Sequence, residues 1–64
     1  MSGSLVTAKI ELTEAQAQAL AQLVKRIGWK ELRDNSVDED ESYLMRDGVV
    51  ALQRGLADAG FAPR

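Results

Sequence analysis

No cysteine and no histidine occur among the 64 residues of this chain. For so short a sequence that double absence decides more than any motif does. Surface-to-volume scaling lets a domain of this size bury only about 60% of the surface its unfolded form exposes. Small folds make up the deficit with disulfides, a structural metal or self-association. Disulfides and a zinc site are both closed to this chain, so oligomerisation is the staple that remains. The same absence removes the thiol nucleophile and the imidazole base, and with them the usual means of activating a hydroxyl.

A hydrophobic fraction of 45% marks a folded domain rather than a disordered segment. Ten acidic against eight basic residues leave a net charge of −2, the wrong sign for a general polyanion binder. The opening "MSGSLVTAK" lacks the basic start and apolar core of a secretory signal, and no apolar run approaches the roughly 20 residues that cross a bilayer. Neither GxGxxG nor a P-loop is present. These features lead us to expect one soluble, cytoplasmic domain over residues 1–64. It would have no catalytic residues, cofactor or metal, no membrane partner and no useful affinity for nonspecific nucleic acid.

Along the chain, residues 1–4 read as a flexible tail. In "LVTAKIEL", residues 5–12, Val6, Ala8, Ile10 and Leu12 alternate with Leu5, Thr7, Lys9 and Glu11 at the period of a half-buried strand. "TEAQ" follows, in which Thr13 can cap the amide three residues on while Gln16 reaches back, a capping box that announces a helix over 14–27. Ala17, Leu20, Val24 and Ile27 form its apolar stripe, with Leu23 beside it. Gly28 suits the left-handed residue that ends such a helix, and Trp29 would then fold back over Val24. "WKELRDN", residues 29–35, predicts a short helix, broken at Asn35 and Ser36.

A long helix is predicted over 38–59, with Met45, Val49, Leu52, Leu56 and Ala59 on one face and Gly60 as its stop. Beside that face runs a row of Leu44, Gly48, Ala51 and Gly55. Each interior glycine costs about 1 kcal/mol relative to alanine, so the row predicts close approach of another backbone. Residues 60–64 read as a tail. The expected architecture is mostly α with one N-terminal strand, a β-α-α-α protomer. A lone strand leaves its edges unpaired, so the strand should pair with another copy in a homodimer, with Thr7, Lys9 and Glu11 on its outward face.

Asp38, Glu39, Asp40 and Glu41 form four consecutive carboxylates. A calcium loop needs glycine at its sixth place and a bidentate glutamate at its twelfth. Counted from Asp38 those places hold Tyr43 and Val49; counted from Asp34 they hold Glu39 and Met45, so the calcium reading fails. Asp38 instead suits a helix cap, and the other three suit the first turn, where the dipole favours anions. A cap uses only one or two acids. The surplus suits a basic protein surface, giving a partner-binding region of Asp38, Glu39, Asp40 and Glu41 flanked by Arg33 and Tyr43. Lys25, Arg26, Lys30 and Arg33 make a local basic segment, read as helix C-terminal charge and a solvated corner.

From "KIELTEAQAQALAQLVKRIGW" through "VDEDESYLMRD" to "LADAGFAPR", residues 9–64, the chain resembles a family of short proteins encoded on bacterial plasmids, integrative elements and prophages. "VKRIGW", "YLMRD" and "GFAPR" are the most recognisable pieces. The resemblance implies a mobile-element setting and transfers no catalytic residue. By analogy of setting and size it suggests an anti-CRISPR-like inhibitor or regulator of a host protein complex. The alternative is a dimeric DNA-binding regulator of ribbon-helix-helix type, whose strand would enter the major groove and read it with Thr7, Lys9 and Glu11. Against that stand Glu11 facing phosphates, the negative net charge and the extra short helix.

Overall fold

A computed structural model describes residues 3–61, and the parts of the expected tails at residues 1–2 and 62–64 lie outside them. Three helices follow one another: α1 (Glu14–Arg26), α2 (Trp29–Asp34) and α3 (Glu39–Asp58). No strand occurs among the described residues, so the expected β-α-α-α protomer and its strand-paired homodimer are corrected to an all-helical chain. The physical reason is the want of an edge. Alternation fits a residue pattern to a sheet, but no second segment of the chain alternates to supply a ladder, and one strand alone satisfies none of its own backbone groups. Residues 5–12 are instead irregular and exposed, with Leu5, Val6 and Ile10 facing solvent. Thr7, Lys9 and Glu11 share that exposure and form no strand face.

The helix starts follow the sequence signals closely. Thr13 Oγ1 accepts from the Gln16 amide at 3.1 Å, and Gln16 Oε1 accepts from the Thr13 amide at 2.9 Å, completing the capping box. Asp38 takes an extended φ of −154° and its Oδ1 accepts from the Glu41 amide at 2.8 Å. At the far end of α3, Gly60 adopts φ +97°. The Gly60 amide donates to the Ala57 carbonyl and the Phe61 amide to that of Leu56, the paired bonds of a Schellman cap. Phe61 thereby returns onto the core.

Gly28 departs from expectation. Its φ is −106°, so it does not close α1 in a left-handed turn; Ile27 ends α1 and Gly28 begins α2. Its amide donates to Glu31 Oε1 at 2.7 Å, and a Cβ there would lie 2.9 Å from that oxygen. Glycine serves this corner by leaving room for a carboxylate cap. Without the left-handed turn, Trp29 meets the ring of Tyr43 on α3.

α3 is the element on which both other helices pack. Ala17, Ala21, Val24 and Leu56 are buried, joined by the half-buried Leu20, Val49, Leu52 and Phe61. Buried alanines on α1 bring the two helix backbones close, which is how this core reaches density without large side chains. The Gly48 and Gly55 row plays no such part within the chain, since a Cβ at either would meet nothing within 4 Å. Ala59 is exposed rather than on the core face. A polar strut joins the layers: Gln53 Nε2 donates to the Val24 carbonyl at 2.6 Å, 29 residues away in sequence. Leu32, on α2, is buried against the N-terminal half of α3.

Candidate interaction surface at the α2–α3 corner

The corner between α2 and α3 is fixed by polar groups rather than by a large apolar plug. Ser42, in the first turn of α3, has none of its surface exposed. Its hydroxyl donates to Ser36 Oγ at 2.7 Å, and the Ser36 hydroxyl in turn donates to the Leu32 carbonyl. Met45 Sδ lies 3.5 Å from the same Ser36 oxygen. A buried hydroxyl left unpaired would cost about 1–3 kcal/mol, so this relay holds the end of α2 against α3 in one arrangement.

That arrangement sets the aromatic rings. Trp29, the first residue of α2, and Tyr43, one residue past Ser42, stand with ring centroids 4.9 Å apart at 46°. The Arg46 guanidinium carbon lies 5.2 Å from the Tyr43 centroid. Both rings stay substantially open to solvent, Trp29 at 41% and Tyr43 at 45%. Tryptophan, tyrosine and arginine are the residue types that concentrate binding energy at protein interfaces. Sequence reasoning named Tyr43 but placed Trp29 in a cap and left out Arg46. The signal that could have found the cluster is the i, i+3 spacing of Tyr43 and Arg46 on one helix face.

The four acids divide into two pairs. Asp38 caps α3, and Glu41 Oε1 accepts from the Val37 amide at 2.8 Å, so both are engaged locally. Glu39 and Asp40 are exposed and have no side-chain hydrogen bond among the described residues. They sit one turn before Tyr43 and therefore on its side of α3. Val37, 86% exposed, adds an apolar tip beside them. Of the other charges at the corner, Glu31 caps α2 and Asp34 pairs with Lys30 at 2.8 Å. Arg33 is exposed on α2. The residues expected to bind a partner thus lie at one corner, apart from Thr7, Lys9 and Glu11 of the N-terminal segment, although only Glu39, Asp40, Arg33 and Tyr43 present side chains not committed to capping.

Among the described residues, no group of three or more acidic side chains is placed to hold a metal ion, and no helix is long and apolar enough to cross a membrane. Residues 1–64 match the model of a family described as a family of unknown function, DUF7706. No curated protein and no solved structure matches the chain.

Proposed function

Since the chain belongs to this family of unknown function, its own surface carries the functional reading, and we propose that it is a non-catalytic protein-binding module acting through the α2–α3 corner. The observation that carries the proposal is the exposed Trp29, Tyr43 and Arg46 cluster beside two uncommitted carboxylates, Glu39 and Asp40. The aromatic pair supplies area that gains from leaving water, and the acids supply steering toward a basic partner. In the mobile-element setting that the sequence resemblance implies, the partner is a host protein or complex whose activity the chain inhibits or regulates, a role of anti-CRISPR type.

Capture from bacterial lysate tests this reading when wild type is compared with two variants of unchanged helical signal. Trp29→Ala with Tyr43→Ala should lose the captured protein. Glu39→Lys with Asp40→Lys should slow its association and flatten the dependence on salt. Tight, strongly salt-dependent binding of duplex DNA in an anisotropy titration would instead favour a DNA-binding regulator.

A further inference from the structure

We propose that the chain associates with a second copy of itself through the solvent face of α3, the two α3 helices lying antiparallel about a two-fold axis beside Ala51. At 100° per residue, Leu44, Asp47, Gly48, Ala51, Arg54 and Gly55 fall within about 60° of one direction on the helix. All six are exposed, Leu44 at 68%. Arg46 points well round from that direction, whereas Asp40 lies about 20° and Tyr43 about 80° from it, so the face adjoins the α2–α3 corner, but the inference does not rest on the function proposed above.

Asp40 and Asp58 also lie within about 20° of that direction, so the face carries three acids to one base, and complementarity rests on the pairing of Asp47 with Arg54. Asp47 and Arg54 stand on the same flank, seven residues apart, with their midpoint beside Ala51. An antiparallel pair brings like flanks together, so Asp47 of one copy meets Arg54 of the other, and the two-fold axis repeats the pair. Neither charge is well satisfied within the chain. Arg54 has no ion-pair partner among the described residues, and Asp47 has only a 3.5 Å contact to its neighbour Arg46. On the opposite flank, the open space around Gly48 and Gly55 admits a second backbone. There Leu44 of one copy reaches the apolar groove of the other, a space of about 940 Å³ bounded by Leu12, Ala51, Leu52, Gly55 and Ala59.

The chain has surface to spare, part of it in the extended segment 5–12, where Leu5 and Val6 are 96% and 91% exposed. The chain exposes 5375 Å², roughly a third more than the about 4,000 Å² that scaling gives a compact monomer of 7.0 kDa. A standard interface takes about 800 Å² from each partner. The radius of gyration, 12.8 Å, likewise exceeds the about 11 Å of a compact chain of this length.

Sedimentation of the full chain, from low micromolar to submillimolar concentration, tests the proposal. The expected result is a species of twice 7.0 kDa. Ala51→Glu sets like charges across the axis and should weaken association by at least about tenfold. Asp47→Arg and Arg54→Asp should each weaken it, and the double variant should restore it. The two positions are too far apart to pair within one helix, so restoration requires contact between copies. A chain that stays monomeric throughout overturns the proposal. So does a dimer indifferent to Ala51→Glu, or a double variant no better than the singles. If Ala51→Glu loses its helical signal, the charge exchange alone decides.

Discussion

The Ser42 hydroxyl, wholly shielded from solvent, donates to the Ser36 hydroxyl across 2.7 Å and so joins the first turn of α3 to the end of α2. Ser42→Ala removes the donor but leaves Ser36 its Leu32 carbonyl acceptor, and should cost about 1 kcal/mol. Ser42→Leu forces extra volume into the same closed space and should cost about 1–3 kcal/mol. Urea titrations with an unchanged slope would check both, and a neutral Ser42→Leu would show the corner to be loosely packed.

Thr13→Ala should destabilise the chain by about 1 kcal/mol, whereas Thr13→Ser should be close to neutral, because serine keeps the oxygen that accepts from the Gln16 amide. For a domain of this size the loss corresponds to about 4–8 °C in Tm. Thermal melts followed by circular dichroism give the comparison directly.

Gln53→Leu keeps the bulk of a half-buried side chain and deletes its bond to the Val24 carbonyl. A cost of about 1 kcal/mol is expected. Hydrogen exchange should show the loss as faster exchange at the α1 amides near Val24, with α2 unchanged. Equal acceleration across all three helices would mean that the strut supports the whole fold and not one junction.

Gly48→Ala places a methyl group where nothing lies within 4 Å and improves helix propensity by about 1 kcal/mol. In dilute solution it should raise Tm. At high concentration the gain should shrink, because the same methyl narrows the approach of a second α3. A gain that is independent of concentration would place Gly48 outside any interface.

How far the fold was legible depends on whether a signal is local. Thr13 with Gln16, Asp38 with the Glu41 amide, and Gly60 ahead of Phe61 each bond within a few residues, so reading the sequence placed them correctly. Residues 5–12 failed because a strand is defined by its neighbour, and alternation carries no word of whether one exists. Gly28 failed for a related reason: glycine answers to a positive φ or to crowding, and here Glu31 supplied the crowding. That single exchange redirected Trp29 from Val24 to Tyr43. At the candidate site, the acids were legible as a surplus of like charge at a helix start, with Tyr43 flanking them. The pairing of Trp29 with Tyr43 depends on the buried Ser42, and no pattern of small polar residues announces complete burial.

The exposed segment 5–12 also bears on colloidal behaviour. Its β-branched and aliphatic residues, with Leu5 96% and Val6 91% open to water, have the composition from which fibrils nucleate. The opposite charges of Lys9 and Glu11 cancel, so repulsion between chains does little to keep such segments apart. What protects them is the cost of desolvating each charge within a stacked sheet, which makes Lys9 and Glu11 gatekeepers. Neutralising either residue should leave the three helices untouched and shorten the time the chain stays in solution, which light scattering at fixed concentration would follow.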